Sequence, residues 1–357
     1  MFPKIQKEKI QTHLLQWFKN NGRKLPWRET CDPYAIWVSE IMLQQTQIST
    51  VIPYYQRFLK TFPTVKDLAR ANLSKVLKVW EGLGYYSRAR NLHQASRVIA
   101  KDFHRKIPDN PKDLLGLPGI GRYTAGAILS IAFDKKAAIL DGNVKRVLSR
   151  LFAIWGNSGE RKTEEFLWQT SESLVPEKHP GAFNQALMDL GSMICVPKGP
   201  QCLRCPIQRF CKGKASGDPE RYPSRKIRKP IPHIEALSAV IVKDGKVLLK
   251  RRVAKGLLGG LWEFPNWKIE GKRKFRMGLK IRNHIKKEMG MDVEVREPLG
   301  IFQQTFSHFK LALHVYFCKA TNDVGQARWV SVPKLNLFPM SRIHRRIADL
   351  LVRSSES

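Results

Sequence analysis

The sequence predicts a two-part chain, an all-α N-terminal region followed by a C-terminal α+β domain. Three observations carry that expectation. Apolar residues recur at helical spacing as far as Ile194, and after Leu237 they change to strand-like alternation. Between them, Lys214 to Pro232 is rich in Pro, Ser, Gly, Lys and Arg and has little periodicity, as a linker does. We therefore expect a helical region over 1–213, a linker over 214–233 and a second domain over 234–357, a division that the length of 357 residues allows. The balance of 63 Lys+Arg against 30 Asp+Glu gives +33, spread along the chain. Such a field favours polyanions, nucleic acid ahead of anionic membrane. A ribosomal or architectural protein would carry the same charge, so composition alone does not separate these from an enzyme. No apolar run approaches about 18 residues, and the N-terminus lacks a signal-peptide core. The expected location is cytoplasmic and nucleoid-associated, with no membrane partner.

Taken in order, Ile5 to Phe18 form a helical stripe through Ile10, Leu14, Trp17 and Phe18. The loop Gly22 to Arg28 interrupts it. Its Arg and Trp residues can stack on and clamp a base, although an isolated Trp is more often core. Tyr34 to Ser49 is helical again, with Val38, Ile41, Met42 and Gln45 on one face and Glu40 inside the run. One turn away in either direction Glu40 meets Ile36, Trp37, Leu43 and Gln44. Apolar surroundings disfavour the ionised form, so Glu40 is expected to titrate high and to serve as a general acid. The competing reading is a glutamate on the wet edge of an amphipathic helix. Gln44 to Gln47 is amide-rich and suits base edges or a wedge in a stack, with surface solvation as the default. Phe62-Pro63-Thr64 breaks the helical pattern, and Thr64 and Ser74 have the character of caps. In Glu81 to Arg90, two glycines flank Leu83 and are followed by Tyr85, Tyr86, Arg88 and Arg90, a composition suited to wedging apolar groups between bases.

Leu117-Pro118-Gly119-Ile120-Gly121-Arg122-Tyr123-Thr124-Ala125 is a tight turn between two helical segments. Unpaired N–H groups at the start of the second helix favour an anion such as phosphate. The run ends at Asp141-Gly142-Asn143, where Asp141 reads as an N-cap. A cap carboxylate held by backbone N–H groups is expected to have a lowered pKa, the opposite tuning to Glu40. One protonated and one anionic carboxyl is the pair that glycosidic cleavage requires.

Cys195-x6-Cys202-x2-Cys205-x5-Cys211 places four of six cysteines within 17 positions. Without secretory features, metal ligation is favoured over disulfides. Zinc sites of four cysteines usually use two CxxC pairs, whereas a four-thiolate iron-sulfur cluster tolerates this uneven spacing. Beyond the linker, Leu237 to Val242, the turn Asp244-Gly245 and Val247 to Leu249 read as a hairpin. Further strands are expected at Val293 to Val295, Leu311 to Phe317 and Arg328 to Val330, with helices at Met277 to Met289 and Ser341 to Val352. That order resembles the Nudix fold, whose hydrolase box reads R-E-x-x-E-E-x-G. Aligned on Gly290, this chain has Asn283, His284, Lys287 and Glu288. With a single carboxylate, the domain is expected to recognise rather than to hydrolyse, the competing reading being a dimerisation or spacer module.

As a set, Trp37-Val38-Ser39-Glu40-Ile41-Met42-Leu43-Gln44-Gln45-Thr46, the hairpin, Asp141-Gly142-Asn143-Val144 and the cysteine loop resemble the MutY-type adenine DNA glycosylases. The likeness runs from about Leu25 to Cys211. Leu257 to Pro265 and Phe306-Ser307-His308 are similar to that family's lesion-recognition domain. The resemblance implies a helix-hairpin-helix glycosylase core with an iron-sulfur loop, joined to a C-terminal α+β Nudix-like domain. It implies that Glu40 protonates the adenine ring and later helps activate water, and that Asp141, assisted by Asn143 and Tyr123, stabilises the cationic sugar. Arg23, Trp27, Arg28 and Asp189 match positions lining the adenine pocket, and Gln45, Leu83 and Tyr85 match the wedge. Ser307, flanked by Phe306 and His308, would read 8-oxoguanine, Gly119 and Gly121 would face the DNA backbone, and the four cysteines would hold a [4Fe-4S] cluster.

The related endonuclease III enzymes have a lysine where this chain has Tyr123. Tyrosine forms no Schiff base, so a monofunctional glycosylase is expected, acting as a monomer on duplex DNA with adenine opposite 8-oxoguanine or guanine. Competing readings are a thymine or oxidised-pyrimidine glycosylase, a non-catalytic iron-sulfur DNA-binding protein, and a nucleotide hydrolase built on the C-terminal domain.

Overall fold

The computed structural model describes residues 3–224, 230–269, 277–322 and 328–356. Along the chain the helices are α1 (Lys4–Asn21), α2 (Pro33–Leu43), α3 (Ile48–Thr61), α4 (Val65–Arg70), α5 (Leu73–Val79), α6 (Tyr86–Asp102), α7 (Pro111–Gly116), α8 (Arg122–Ala127), α9 (Gly142–Phe152), α10 (Arg161–Leu174), α11 (Pro180–Met193), α12 (Lys212–Ala215), α13 (Met277–Met289) and α14 (Arg342–Glu356). The strands are β1 (His233–Lys243), β2 (Lys246–Arg251), β3 (Trp262–Glu263), β4 (Asn266–Lys268), β5 (Val293–Thr305), β6 (Lys310–Ala320) and β7 (Arg328–Ser331). Among the described residues no helix is long and apolar enough to cross a membrane.

Contacts divide the chain into two units, 1–70 with 91–227, and 71–90 with 228–357. The first unit is helical. Asp32 starts α2 by accepting hydrogen bonds from the Tyr34 and Ala35 N–H groups, with Pro33 fitting the first turn. Every residue from Tyr34 to Met42 is buried, so α2 is a core helix apolar nearly all round, and Glu40 is its one ionisable carboxyl. A second cluster packs α9, α10 and α11 around Val144, Leu148, Leu167, Phe183 and Leu187, with Ile10 and Leu14 of α1. Between α7 and α8 the hairpin turns at Gly119, whose φ is +79°, and a Cβ there would lie 2.7 Å from the Cβ of Asn91. A single π-turn, Ile128–Ala132, follows α8.

The second unit is a seven-stranded sheet in the order β3-β2-β1-β6-β5, with β4 on β1 and β7 on β2. Strands β1 and β6 run parallel and β5 and β6 antiparallel. One sheet face packs on α14 through Ile343, Ile347 and Leu351, and the other on α13 through Ile281 and Ile285. The hairpin of β1 and β2 pairs Val242 with Val247, and α13 has the bounds its periodicity predicts. Strand β5 extends well beyond the expected three residues, because it continues along β6 past irregularities at Pro298 and Gly300.

Three segments behave differently from their sequence pattern. The helix expected over Tyr34 to Ser49 ends at Leu43 and a new one starts at Ile48, with Gln45 at φ 57° in the break. Residues 71–90, helical by period, cluster with the sheet unit. The start of the expected linker forms α12 against α9, with the Gly213 Cβ position 2.6 Å from the Arg150 carbonyl oxygen. Residues 225–229 of that linker lie outside the described residues.

Candidate active site

Helix α2 carries Glu40 into the core of the first unit, where it is 3% exposed. The Tyr123 hydroxyl, at the start of α8, donates a 2.7 Å hydrogen bond to its Oε2. Burial pushes the Glu40 carboxyl from its ordinary 4.5 up to about 7; the Tyr123 hydrogen bond opposes the rise, the Asp141 charge adds to it and Arg28 opposes it weakly. Tyr123 remains a neutral donor, because burial and the Glu40 and Asp141 charges hold its phenol well above 10.

Asp141 is the N-cap of α9, its Oδ1 accepting from the Val144 N–H at 2.7 Å and its Oδ2 from the Asn143 amide at 3.2 Å. The lowered pKa expected of such a cap does not occur. Burial raises it, and that cost exceeds what the Val144 and Asn143 hydrogen bonds and the Arg146 charge recover. Both carboxyls are therefore shifted upward, and they differ in their donors rather than in the sign of the shift. Glu40 has one neutral hydroxyl, whereas Asp141 has backbone and amide N–H groups with a guanidinium nearby.

Asp189 of α11 is fully buried and receives both Arg23 and Arg28. Arg28 donates from Nη1 to Oδ2 at 2.7 Å and from Nη2 to Oδ1 at 2.9 Å, while Arg23 donates from its backbone N at 3.0 Å, from Nε at 2.8 Å and from Nη2. Burial alone would raise this carboxyl, but the hydrogen bonds from Arg28 and Arg23 hold it below the ordinary 3.8. Trp27 is buried edge-on against Tyr55, with ring centroids 5.4 Å apart. These residues stand in the first unit with Glu40, Tyr123, Asp141 and Asn143.

Gly121 is the N-cap residue of α8, and a Cβ there would meet nothing within 4 Å, so the backbone is open to a bulky anion. Gln45 is exposed just after α2, held in the left-handed region at φ 57°. Leu83 and Tyr85 belong instead to the second unit, on a turn shaped by positive φ at Gly82, Gly84 and Tyr85. There the Tyr85 hydroxyl lies 2.9 Å from the Ser307 Oγ. Ser307 and His308 are exposed in the turn joining β5 to β6, where Phe306 stacks on Phe309 at 4.7 Å. In the Nudix-like box, Glu288 pairs with Lys250 at 3.6 Å and His284 stacks on Trp267 at 5.5 Å.

Cys195, Cys202, Cys205 and Cys211 line one cavity of the first unit together with Arg150 and Ile194. Among the described residues no three His, Cys, Asp or Glu side chains are grouped as a single metal ion would need. Four thiols around a shared space suit a multinuclear cluster.

Residues 38–173 match the model of the HhH-GPD superfamily of base excision DNA repair proteins, and residues 237–350 match that of the NUDIX domain. The adenine DNA glycosylase of Buchnera aphidicola subsp. Schizaphis graminum is 38% identical over 84% of this chain and 84% of its own. The chain belongs to the adenine DNA glycosylase family. The human adenine DNA glycosylase is 35% identical, covering 94% of this chain and 72% of that one. The solved structure of a thermostable thymine-DNA glycosylase, 32% identical, superimposes with a TM-score of 0.55 over 59% of this chain and 98% of that one. This glycosylase is thus a hydrolase of N-glycosidic bonds with a helix-hairpin-helix core and a Nudix-like domain.

Two residues of the glycosylase escaped the sequence reading. Arg146 donates to the Asn143 Oδ1 at 2.8 Å and to the Cys195 carbonyl at 2.8 Å. Arg150, 2% exposed, donates to the Val196 carbonyl at 2.7 Å and reaches the Cys195 Sγ at 3.4 Å. Both lie on the helical face of Asn143, three and seven positions on, and that spacing is the one sequence signal that points to them.

Proposed function

We propose that this chain flips adenine out of duplex DNA where it is mispaired with 8-oxoguanine or guanine and hydrolyses its glycosidic bond, leaving an abasic site on an intact strand. The observation that carries this reading is Glu40, a buried carboxyl poised at about 7 and aligned by the Tyr123 hydroxyl. At neutral pH it holds a proton for the adenine ring, and once ionised it accepts one from the attacking water. Asp141, whose carboxylate form is favoured by its cap donors against the rise that burial imposes, stabilises the oxocarbenium-like sugar, and Asn143 holds its orientation. The Arg23–Asp189–Arg28 cluster and Trp27 shape the pocket for the extruded base. Extrusion costs a few kcal/mol, and less at a mispair. Wedge insertion by Gln45, Leu83 and Tyr85, and contacts of the phosphate backbone with Gly119 and Gly121, offset it. Phe306, Ser307 and His308 read the opposite base. Tyr123 supplies no amine, so the hairpin positions the strand without cutting it.

The four cysteines would hold a [4Fe-4S] cluster, which supplies a rigid cross-link for the basic loop around Lys198, Arg204 and Lys212. Arg150 and Arg146 fix Cys195 from α9. The protein acts as a monomer in the nucleoid-containing cytoplasm.

The test is alkali-dependent nicking of duplexes carrying adenine opposite 8-oxoguanine, guanine or cytosine, with thymine opposite guanine as a further arm. Cleavage of the first two alone is expected. Cleavage of the thymine duplex alone would transfer the reading to thymine, and no base release from any duplex would overturn it.

A further inference from the structure

Helix α14 reaches two functional loops of the second unit with adjacent arginines. Arg345 donates from Nε to the Glu81 Oε1 at 2.7 Å, while its Nη1 and Nη2 bond the Leu335 and Phe338 carbonyls at 3.2 and 2.5 Å. Lys78 closes on the other Glu81 oxygen. The Arg345 and Glu81 side chains are only 18% and 12% exposed, so salt screens their attraction little. Next along the helix, Arg346 donates to the Gln303 carbonyl at 3.3 Å and lies over the Phe302 ring at 5.5 Å, on the strand that leads into Phe306-Ser307-His308.

The turn that Arg345 grips is itself tightly bonded. The Gly82 N–H donates to the Tyr86 hydroxyl, which donates to the Met340 carbonyl at 3.1 Å, just before α14. The Trp80 indole closes the turn on the Gly84 carbonyl at 3.0 Å. At its far end Arg90 bonds the Gly259 and Gly256 carbonyls. Leu83 and Tyr85 ride on this turn, and Tyr85 ends at Ser307. Apart from the Tyr85–Ser307 contact, none of these bonds involves a side chain assigned to recognition or to the chemistry.

We infer that the Glu81–Arg345 ion pair is a positioning device. It fixes the Leu83–Tyr85 turn against the Phe306-Ser307-His308 loop, so that reading the opposite base and wedging the stack occur as one event. The inference rests on the proposed roles of those two loops. Glu81 and Arg345 touch no DNA in this scheme; they act by holding the distance between groups that do. A cut pair loosens the turn on α14 and leaves the exposed Tyr85–Ser307 contact as the direct link between the two loops, so recognition of 8-oxoguanine favours insertion of the wedge less.

The experiment is single-turnover excision by the full chain of adenine opposite 8-oxoguanine and opposite guanine, comparing wild type, Glu81→Ala, Arg345→Ala, their double variant and Tyr85→Phe, with melting temperatures alongside. Each single change at the pair is expected to lower the ratio of the two rates about ten-fold, and the double variant to lower it no further, because the partners act as a unit. Binding to undamaged duplex should stay within about two-fold of wild type, which a general loss of structure would not leave. Glu81→Gln, which keeps shape, and Arg345→Lys, which keeps charge, serve if an alanine variant fails to fold, and Arg345→Lys is expected to recover part of the ratio. Additive losses in the double variant, or unchanged ratios in both singles while Tyr85→Phe lowers the ratio, overturn the clasp alone. A wild type with no preference between the two duplexes would instead remove the reading beneath it.

Discussion

Glu40 and Asp189 are two carboxyls buried in the same helical unit, and their surroundings drive them in opposite directions. Both are almost wholly withdrawn from water. Asp189 meets two guanidiniums and stays below its ordinary pKa, whereas Glu40 meets one neutral hydroxyl and rises to about 7. Burial sets the size of the penalty on a charge, and the partners decide whether the charge survives it. A carboxylate saturated by cations is a structural anchor, and one left nearly alone is a proton reservoir.

Three substitutions can break or sharpen this contrast. The largest effect is expected from Glu40→Gln, with base release falling roughly 10³-fold in single-turnover assays, within the range typical of a general acid. The same change should stabilise the fold at alkaline pH. The folded pKa of about 7 lies above the ordinary 4.5, so the folded state binds more protons between those values, and stability is lost as pH rises through 7. Glutamine avoids that loss, and urea denaturation at pH 8 should show a gain of about 3 kcal/mol that largely disappears near pH 4.5. A variant both inactive and less stable at pH 8 would contradict the poised-acid account.

Asp189→Asn should do the reverse. Arg23 and Arg28 would keep their enclosed charges without an anion, and the denaturation midpoint should fall by an amount equivalent to about 3 kcal/mol. A drop in rate with no loss of stability would instead make Asp189 part of the chemistry. The smallest effect is expected from Tyr123→Phe. Removing the donor that lowers the Glu40 pKa leaves burial less opposed, so the alkaline limb of the pH–rate profile should move to higher pH. Movement to lower pH would mean that the hydroxyl serves Asp141 more than Glu40.

The raised acid was legible in the sequence because its cause is local: a glutamate flanked at one turn by Ile36, Trp37 and Leu43 must be enclosed when the helix is central. Asp141 was half legible. Its capping follows from the residues after it, but the depth of the loop depends on how α9, α10 and α11 close together, which no local pattern encodes. The Asp189 cluster lay beyond sequence periodicity for the same reason, since 166 positions separate Asp189 from Arg23. Family resemblance grouped them, and the charge pairing explains why they stay together. The reassignment of residues 71–90 was illegible for a different reason. Their helical period is that of the first unit, while the bonds that place them, Glu81 to Arg345 and Arg90 to Gly259, connect to residues far along the chain.

Helix α11 brings both anchors into one turn. Asp189 fixes Arg23 and Arg28, and two residues later Gly191 lies against Asn143, whose Cβ would be 2.7 Å from any Cβ added there, while its carbonyl accepts from Arg146 at 2.6 Å. Under the proposed roles of these residues, positional errors in the base pocket and at the cationic-sugar site are therefore correlated. A thermal shift of that turn carries both in the same direction and leaves the spacing between them nearly unchanged. A side chain at position 191, 2.7 Å from the Asn143 Cβ, would push Asn143 away from Asp189 and separate the two errors.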